Sequence, residues 1–589
     1  MSIQITLVYN RANPFGIKQD AELLESVIRH YNSSVGVQFA KVKHADLLEP
    51  PQATDVCIHL EIPSTTWMPF AHTNILMMNP EWWVSDWNSL LPRFDEVLYK
   101  IKNLDVSGTY IPWCSGVQYK ANPQATSLSA GCLWLLGGSQ NKRLMASKIV
   151  PLWKESYPTL TVYTTSALDV SGASNVTIKV QDLDEEQRKQ LQTYYPVHLA
   201  VSRSEGFGLA AAEAEAAGAY CIVNTIPAYE SAFASQPNIG WLKNPTVSDS
   251  KYPYAKFVDL SGEIEGLEEV MTKLQTVSFE DVRVEQQAAS LARGGAFQKA
   301  MVTVFKRVVD TTKQKKSLVR GNRHLPPYLD NGDCPFISVI TPTYNRRKFI
   351  DLAFHNILLS DYPKDKIEWI LVDDSDDPAE SVSDKIATFA KRAPVAQVVY
   401  VPLPKKHSIG YKRNVGIERA SHNVIVFMDD DDHYPETSFR RRVAWLTKHS
   451  WAPKVVACST IACYDLVKGV SAVNTPPWDL GPAKRISEAT LTFYKSFWEE
   501  KKFPHTSVAE GEEFLAGRES ALLDIPPQQI LVAFSHQGNS SGRRIPSTED
   551  VKPGCFWGFP KEYTIWIHKL AGVEVEEEQE TREPRKRKS

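Results

Sequence analysis

The segment NVIVFMDDDD, residues 423–432, decides the fold of the second half of the chain. Its apolar run, VIVFM, is typical of a fully buried strand in a parallel sheet. Four aspartates, Asp429 to Asp432, follow that run directly. Ligands bind at the carboxyl ends of the strands in open α/β sheets. The segment therefore predicts a buried strand that delivers four carboxylates to a ligand-binding edge.

The four carboxylates favour a bound cation. Adjacent carboxylates repel one another, so without a cation some must become protonated or turn into water. Mg²⁺ and Mn²⁺ take oxygen ligands and keep positions open for substrate phosphates. If the strand geometry persists, Asp429 and Asp431 lie on the same side. A solvated acidic turn is the alternative interpretation.

The sequence on either side of this segment predicts parallel βα units. FISVITPTYN (336–345) and IEWILVDD (367–374) are further apolar runs that end in polar or acidic residues. Between them, Phe349, Leu352, Ala353 and Ile357 recur at the spacing of one helix face. Strands that alternate with helices indicate an α/β class with a parallel sheet. We therefore predict a single α/β sheet within residues 335–571, with its ligand edge at the carboxyl ends of these strands.

The first half shows the same alternation in two series. The predicted strands are ITLVYN, VQFAKV, DVCIHLEI, NILMMN and EVLYKI, followed by CLWLLGG, LTVYTT, VHLAVS and AYCIVN. A polar stretch near 115–130 separates the series, which predicts two Rossmann-like subdomains, 1–120 and 121–310, with a cleft between them. Residues 311–334 are predicted to be a linker, and 572–589 a disordered charged tail.

The bulk composition excludes several classes of protein. The 589 residues are 43% hydrophobic and 23% charged, as in ordinary globular proteins. A net charge of −3 provides no electrostatic basis for binding nucleic acid. No apolar run approaches the ~20 residues of a membrane-spanning helix. The N-terminus lacks signal-peptide features, and the eight cysteines form no CxxC pair. We expect a cytoplasmic protein without a transmembrane segment or a nucleic-acid partner.

Four motifs of the second half resemble those of glycosyltransferase family 2, which has the GT-A fold. In order they are TPTYNR (341–346), LVDDSDD (371–377), GYKRNVGIERA (410–420) and FMDDDD (427–432). They are similar to the family's first-strand, VDDGS, GxARNxG and DxD motifs. The resemblance covers roughly residues 335 to 545. It implies transfer of a sugar from a UDP-, GDP- or dTDP-sugar to a glycan or glycoprotein acceptor.

The resemblance also implies which residues contact the donor. Pro342 and Tyr344 correspond to residues that line the nucleobase pocket. Asp374 corresponds to a base contact with Asp373 beside it, and Arg413 to a residue near the donor diphosphate. Each motif alone is weak, since Tyr344 is also compatible with a core position and Arg413 with a helix surface. Their order and spacing together favour the family.

The DxD register implies the metal ligands. When FMDDDD is aligned with the DxD motif, Asp429 faces the ribose or the metal, Asp430 belongs to the donor site and Asp431 binds Mn²⁺ or Mg²⁺. A slip of one residue substitutes Asp432. The later stretch FSHQGNSSGRR (534–544) resembles a C-terminal HGxNxS stretch of some members, which makes His536 a candidate metal or diphosphate ligand; a structural histidine is the alternative.

The stretch AEGEEFLAGR (509–518) resembles the acidic ED…R segment of the family. Counting back from Arg518 places Glu512 at the position of the catalytic base, with Glu513 next to it. Inverting transfer needs a carboxylate that takes the proton of the acceptor hydroxyl. The family usually has aspartate here, and a solvated helix face is the alternative.

A second resemblance lies in the first half, at VHLAVSRSEGFGLAAAEAEAAGAYCIVN (197–224). This segment resembles the EGFGLxxxEAxAxG signature of GT-B glycosyltransferases, chiefly family 4, which need no metal and retain configuration. Glycines at a helix N-terminus favour phosphate binding. The resemblance implies donor contacts in this segment from Glu205, Gly206, Phe207, Gly208 and Glu213, with Glu213 on the ribose.

Two further stretches extend this resemblance. GGSQNKRL (137–144) resembles a diphosphate loop, which makes Lys142 and Arg143 candidate phosphate ligands; solvated basic residues are the alternative. NPEWW (79–83) resembles an NxEW segment of some GT-B relatives; Trp82 and Trp83 are expected in the core, and stacking on a sugar is the alternative. No motif within residues 1–115 indicates a chemical role.

Several functions remain open from the sequence alone. A bifunctional glycosyltransferase with two donor sites is the preferred interpretation. One alternative is a single active GT-A enzyme with a non-catalytic, carbohydrate- or nucleotide-binding GT-B-like module. A nucleotidyltransferase is disfavoured because TPTYNRRKF lacks the glycines of a phosphate loop. A non-catalytic lectin or scaffold is the remaining alternative.

Overall fold

A computed structural model describes residues 3–13, 16–35, 39–119, 127–318, 325–539, 544–548, 551 and 553–573. The chain divides into two compact units, Met1–Gly321 and Asn322–Ser589, here called the first and second units. Residues 120–126 of the predicted subdomain boundary and 574–589 of the predicted tail lie outside the described residues. Among the described helices, none has the length and apolarity to cross a bilayer.

The first unit contains two six-stranded sheets in which all paired neighbours are parallel. The first, in the order β2-β1-β3-β4-β5-β6, comprises β1 Ile3–Tyr9, β2 Phe39–Asp46, β3 Thr54–Leu60, β4 Ala71–Met78, β5 Glu96–Tyr99 and β6 Thr109–Tyr110. The second, in the order β12-β11-β10-β7-β8-β9, comprises β7 Cys132–Gly137, β8 Leu160–Thr164, β9 Val176–Val180, β10 Val197–Leu199, β11 Tyr220–Asn224 and β12 Ile239–Leu242. These sheets confirm the predicted α/β class.

Helices and a short ribbon complete the first unit. The helices are α1 Ile17–Val35, α2 Gln140–Ile149, α3 Glu185–Tyr194, α4 Leu209–Ala217, α5 Pro227–Phe233, α6 Leu267–Leu274 and α7 Phe279–Leu318. The antiparallel ribbon consists of β13 Thr246–Asp249 and β14 Tyr252–Val258. The long helix α7 packs against both α4 and β4, so a single apolar core extends through the unit.

The predicted linker, 311–334, starts too early. Helix α7 continues to Leu318, and Thr312 is fully buried with its hydroxyl 2.8 Å from that of Thr73. The polar composition of this stretch concealed the helix, because lysine and glutamine are good helix formers and few positions need to be apolar to pack on β4. The division between units, at Gly321, still falls inside the predicted stretch.

The second unit is built on a seven-stranded mixed sheet in the order β17-β16-β15-β18-β22-β19-β23, beside a three-stranded sheet in the order β21-β20-β24. Its strands are β15 Ile337–Thr343, β16 Ile367–Asp373, β17 Gln397–Pro402, β18 Val424–Phe427, β19 Val455–Ala457, β20 Ile461–Asp465, β21 Val470–Asn474, β22 Thr492–Tyr494, β23 Leu522–Asp524 and β24 Val532–Ser535. Its helices are α8 Ile350–Leu359, α9 Ser383–Ala390, α10 Ile409–Arg419, α11 Ser438–Lys448, α12 Pro482–Arg485, α13 Lys495–Glu500, α14 Glu510–Leu515 and α15 Lys561–Leu570.

Three adjacent strands of this sheet bring the predicted motifs to one edge. The neighbours β16, β15 and β18 are parallel, and every residue of all three is buried. The predicted helix face is also confirmed, since Leu352, Ala353 and Ile357 of α8 are fully buried. The parallel directions place the aspartates after β16 and β18 at the same sheet edge.

Candidate active site

A cavity of about 680 Å³ opens at the carboxyl ends of β15 and β18. The structure brings seven of the predicted residues to its wall: Pro342, Tyr344, Arg413, Asp429, Asp430, Asp431 and His536. Five cationic side chains also line it: Arg346, Lys348, Lys406, Lys412 and Arg413. Four carboxylates, those of Glu380, Asp429, Asp430 and Asp431, line the same wall, and such a mixture of cationic and acidic groups suits an anionic ligand accompanied by a cation.

Arg413 is fixed at the base of the cavity. Its guanidinium lies 4.4 Å above the Phe427 ring, and Nη1 donates to the carbonyl of Glu488 at 3.1 Å. Its Nη2 lies 3.4 Å from Oδ1 of Asp429, whose side chain is 24% exposed. The backbone amide of Asp429 in turn donates to the Tyr434 hydroxyl at 2.8 Å. Asp429 is thus held in place but keeps an accessible carboxylate.

Asp430 is buried and fully engaged. Its Oδ2 accepts from the Thr343 hydroxyl at 2.5 Å, and its Oδ1 accepts from Arg346 Nη1 at 2.9 Å. Burial raises the pKa of Asp430, and Arg346 opposes that effect. The sequence argument that a divalent cation relieves the repulsion among the aspartates overlooked Arg346, which already supplies a positive charge.

Asp431 lies between the acidic strand end and the loop after β24. Its Oδ2 is 2.7 Å from Arg346 Nη1, 3.2 Å from His536 Nε2 and 3.3 Å from Asn539 Nδ2. His536 Nδ1 accepts from the Gly538 amide at 3.1 Å, which leaves Nε2 as the ring nitrogen that donates to Asp431. His536 also stacks on Phe349, with ring centroids 4.3 Å apart.

Asp432 points away from the cavity. It is fully buried, and its Oδ1 accepts from the Phe534 amide at 2.8 Å. Strand β18 ends at Phe427, so the chain turns before the aspartates and strand alternation does not apply to them. The one-residue slip that would replace Asp431 with Asp432 does not fit this arrangement.

Asp373 and Asp374 are buried beside the cavity rather than in its wall. Asp374 accepts from Lys412 Nζ at 2.8 Å and from the His407 amide at 2.7 Å. Asp373 accepts from the Ser375 amide at 2.9 Å and from the Tyr400 hydroxyl at 2.8 Å. These carboxylates hold the loops that follow β16 and β17. Both carboxylate oxygens of Asp374, the predicted base contact, therefore already accept hydrogen bonds from the protein, and so do those of Asp373 beside it.

The acidic segment begins helix α14, and its members differ sharply in burial. Glu510 is buried, with Oε1 3.2 Å from Arg413 Nε. Glu512 is half-buried and Glu513 is exposed. None of the three is a cavity-lining residue. Arg518, from which the position of the base was counted, donates to the Phe497 and Phe514 carbonyls, both at 2.6 Å.

A second buried carboxyl accompanies Glu510. Oε1 of Glu488 lies 3.4 Å from the Gly511 amide. Burial, and then the charge of Glu510, raises the pKa of Glu488 to about 7. Arg413 therefore sits beside Glu510 and near a Glu488 carboxyl group that is partly protonated at neutral pH. No motif in the sequence indicated Glu488, because it reaches Arg413 only through the fold.

Tyr344 presents its ring to a lysine. Lys406 Nζ lies 4.0 Å from the ring centroid, and the Tyr344 hydroxyl donates to Asp376 at 3.0 Å. Lys406 lies outside the four motifs, so the sequence did not indicate it. Arg346 and Lys412 lie inside two of those motifs but were not singled out either. A flat aromatic wall with a nearby ammonium group is suited to a planar, polar base.

The metal assignment can be tested against the ligand geometry. Among the described residues, no group of three or more His, Cys, Asp and Glu side chains could by itself hold a metal ion. The predicted set of Asp429, Asp431 and His536 is therefore not a complete protein-built cage. Mg²⁺ and Mn²⁺ commonly bind through one or two carboxylates plus substrate phosphates. The two aspartates fit a cation that shares its ligands with a diphosphate.

In the first unit, Glu213 of α4 is already hydrogen-bonded through both oxygens. Oε2 accepts from Gln192 at 2.8 Å, and Oε1 accepts from Gln19 at 3.4 Å. Glu205 is half-buried in the loop before α4. Phe207 is buried in the core, 6.2 Å from the Phe233 ring, so it faces no ligand.

The two loop glycines accommodate protein groups. Gly208 has φ +95°, and a Cβ there would meet the Tyr229 ring at 2.2 Å. A Cβ at Gly206 would lie 2.7 Å from Oε2 of Glu81 and 3.0 Å from Oδ1 of Asn79. The sequence predicted donor contacts at these two glycines. In the structure, side chains of the same unit occupy the space beside both of them.

Glu81 belongs to a buried acidic cluster after β3 and β4. Its Oε2 is buried without a hydrogen-bond donor, as is Oδ1 of Asn79. Asn79 Nδ2 donates to Glu61 at 2.9 Å. Burial, and then Glu61, raises the pKa of Glu81 to about 8. The NPEWW motif therefore supplies a buried carboxyl group that sequence reasoning did not single out.

Of the remaining predicted residues of the first unit, Lys142, Arg143 and Trp83 lie where the sequence placed them, whereas Trp82 does not lie in the core. Lys142 and Arg143 are half-buried in the first turn of α2, which Ser139 caps. Arg143 Nη2 donates to the Ala167 carbonyl at 2.7 Å. Trp83 is fully buried as expected, but Trp82 is 52% exposed.

Comparison with known proteins identifies the second unit. The family model described as "Glycosyl transferase family 2" matches residues 338–494. TuaG of Bacillus subtilis, a glycosyltransferase named for teichuronic acid biosynthesis, is 29% identical over 22% of this chain and 48% of its own length. The poly(ribitol-phosphate) beta-N-acetylglucosaminyltransferase TarS of Staphylococcus aureus is 28% identical over 19% of each chain. The amylovoran biosynthesis glycosyltransferase AmsE of Erwinia amylovora is 32% identical over 20% of this chain and 42% of its own length.

Solved structures are similar over part of the chain. The mannosyltransferase PcManGT from Pyrobaculum calidifontis, in complex with GDP-Man and Mn²⁺, has a TM-score of 0.29 at 19% identity, covering 38% of this chain and 63% of its own. S. aureus TarS 1-349 in complex with UDP-GlcNAc has a TM-score of 0.27 at 18% identity, covering 35% and 61%. The chain spans less than half the length of the curated relatives it matches. The second unit is a glycosyltransferase domain with a GT-A-like α/β fold.

Proposed function

We propose that the second unit transfers a sugar from a nucleotide-sugar donor to a hydroxyl of a glycan acceptor, in a metal-dependent and inverting reaction. The observation that carries this proposal is the meeting of Asp429, Asp431 and Arg413 at one cavity. The relatives TuaG and TarS are named as a teichuronic acid biosynthesis glycosyltransferase and a poly(ribitol-phosphate) beta-N-acetylglucosaminyltransferase. We extend that chemistry to a glycan or glycoprotein acceptor.

The basic wall of the cavity supports the donor assignment. Tyr344 and Pro342 offer a surface for the nucleobase, and Arg413 offers a fixed guanidinium for the diphosphate. Arg413 needs no rearrangement, because Phe427 and the Glu488 carbonyl already hold it. Fixed donors aimed at developing charge stabilise a departing diphosphate without reorganisation.

The divalent cation belongs to the same proposal. Asp431 and Asp429 would hold Mn²⁺ or Mg²⁺, with His536 orienting Asp431 through its hydrogen bond. When bound, such a cation supplies Lewis-acid stabilisation of the leaving diphosphate.

We assign the catalytic base to Glu512. Glu510 is held close to Arg413 and Glu488, whereas Glu512, two residues further along α14, is half-buried. A base must be available to the acceptor hydroxyl, which an engaged ion-pair partner is not. Glu513 is exposed and is the weaker candidate.

For the first unit we propose a GT-B arrangement, with residues 1–120 on the acceptor side and 121–310 on the donor side. Its donor contacts would come from Lys142, Arg143, Glu205 and Glu213, without a metal. The chain would then be bifunctional, and tethering would raise the local concentration of the intermediate glycan. One observation favours the alternative of a non-catalytic module: both carboxylate oxygens of Glu213 are already hydrogen-bonded.

Donor hydrolysis tests both parts of the proposal. The wild-type chain is incubated with a panel of UDP-, GDP- and dTDP-sugars, with and without EDTA. Hydrolysis of one donor that stops with EDTA supports the second-unit site and names its donor. Hydrolysis of another donor that survives EDTA supports an active first unit, and its absence favours the binding-module alternative. EDTA-resistant hydrolysis alone contradicts the metal-dependent assignment.

A further inference from the structure

A positively charged side chain, Arg346, lies beside the acidic end of β18. Arg346 Nη1 lies 2.9 Å from Oδ1 of Asp430 and 2.7 Å from Oδ2 of Asp431. Its Nη2 donates to the Gly538 carbonyl at 2.8 Å. One guanidinium therefore joins the acidic turn to the loop that carries His536.

These contacts keep Arg346 charged. An arginine guanidinium stays protonated in proteins, and here two carboxylates face it at 2.9 and 2.7 Å. Ion pairs with buried carboxylates are charge-assisted and short. In the donor-free protein, Arg346 thus neutralises charge that would otherwise attract a metal.

Oδ2 of Asp431 is crowded. Arg346, His536 and Asn539 all approach this single oxygen, at 2.7, 3.2 and 3.3 Å. A carboxylate oxygen has two lone pairs, so three donors leave none directed at a metal. A divalent cation at this oxygen must displace at least one donor, and electrostatic repulsion selects the positively charged one.

We propose that Arg346 is the resident counter-ion of Asp431, and that a divalent cation displaces it when donor binds. This inference rests on the proposed donor site of the second unit. Arg346 lines the same cavity, so a diphosphate bound there provides the displaced guanidinium with a new anionic partner. Metal and nucleotide then bind cooperatively, because each removes an obstacle to the other.

The adjacent Arg347 provides a matched control. It pairs with Asp384 at 2.5 Å through Nη1 and at 2.6 Å through Nη2, and it does not line the cavity. Replacing either arginine with methionine removes one positive charge from the same loop. Only Arg346→Met removes it from the acidic strand end.

Mn²⁺ binding to the full chain tests the inference, measured from the electron paramagnetic resonance signal of free Mn²⁺. We expect Arg346→Met to bind Mn²⁺ about tenfold more tightly than wild type without nucleotide, because a competing charge is gone. Adding UDP or GDP should tighten Mn²⁺ binding in the wild type and in Arg347→Met, but much less in Arg346→Met. Equal Mn²⁺ affinities in all three proteins overturn the competition. If no protein binds Mn²⁺ even with either nucleotide, the proposed metal site fails as well, which separates the two failures.

A second measurement does not depend on the folding of Arg346→Met. In the wild type labelled with ¹⁵N-arginine, the Nε–H signal of Arg346 is identified by its absence in Arg346→Lys. We expect this signal to shift when Mg²⁺ and the preferred nucleoside diphosphate are added together. An unchanged Arg346 signal under saturating Mg²⁺ and nucleotide shows that the guanidinium stays on Asp431 and overturns the inference.

Discussion

Replacing Glu81 with glutamine tests the energetic role of the buried acidic cluster in the first unit. The carboxyl group has no hydrogen-bond donor on Oε2, and burial raises its pKa to about 8 from the 4.5 of an ordinary glutamate. The folded chain therefore keeps a proton that the unfolded chain releases above pH 4.5. The stability that this group contributes is complete below that pH and is lost as pH rises toward 8.

The magnitude follows from the two pKa values. Each tenfold change in proton affinity is worth about 1.36 kcal/mol, so the full difference corresponds to at most about 5 kcal/mol. Between pH 5 and pH 7, wild type loses about 2 to 3 kcal/mol that Glu81→Gln does not lose. For a unit of this size, that difference shifts the melting temperature by about 4 °C.

The assay is thermal unfolding of the full chain at pH 5, 6 and 7. We expect the melting temperature of Glu81→Gln, relative to wild type, to rise steadily with pH. Glu269→Gln, an exposed substitution on α6, is the control and should show no such trend. A Glu81→Gln difference that is constant with pH, or that falls as pH rises, refutes the reasoning.

Three further predictions concern single residues. Glu213→Ala should weaken nucleotide binding in EDTA about tenfold if the first unit binds a donor; an unchanged Kd means that the site is misplaced. Glu512→Gln should lower kcat by about 10² to 10⁴-fold with little change in KM, and Glu513→Gln should lower it less than about tenfold; similar losses in both variants contradict the assignment of the base. Lys412→Met should lower the stability by about 3 to 5 kcal/mol in thermal unfolding, because it leaves Asp374 buried without its ion-pair partner; a loss below about 1 kcal/mol contradicts this.

The sequence predicted the elements that depend on local pattern. The run before Asp429 folds as the buried strand β18 because consecutive apolar residues suit a strand covered on both faces. Asp429 and Asp431 both reach the cavity. Helix α8 buries the predicted face for the same reason, since its periodicity is a property of the segment itself.

Pairings between distant segments could not be predicted. Arg346 and Asp430 are 84 residues apart, and nothing in either motif indicates that they meet. Asp374 looked like a ligand contact, yet Lys412, 38 residues away, takes its carboxylate. Composition misled at residues 311–318, where a polar stretch forms the end of α7. Tertiary contacts decided each of these cases.

Phe207 and Gly206 belong to a motif whose surroundings the sequence did not predict. Their motif resembles a donor-binding signature, but Phe207 packs in the core and Gly206 abuts Glu81. A glycine is needed wherever backbone approaches closely, whether the neighbour is a ligand or a carboxylate of the same chain. The motif alone cannot distinguish these two causes, so the activity of the first unit is a proposal.

We propose that metal-dependent transfer by the second unit requires Asp431. The most direct test is turnover of the preferred nucleotide-sugar by wild type and Asp431→Ala, each with Mn²⁺ or EDTA. Asp365→Ala, an exposed substitution in the same unit, is the control. We predict that Asp431→Ala has no more activity with Mn²⁺ than wild type has in EDTA, while Asp365→Ala matches wild type. Turnover by Asp431→Ala that equals wild type and still responds to Mn²⁺ would contradict the claim.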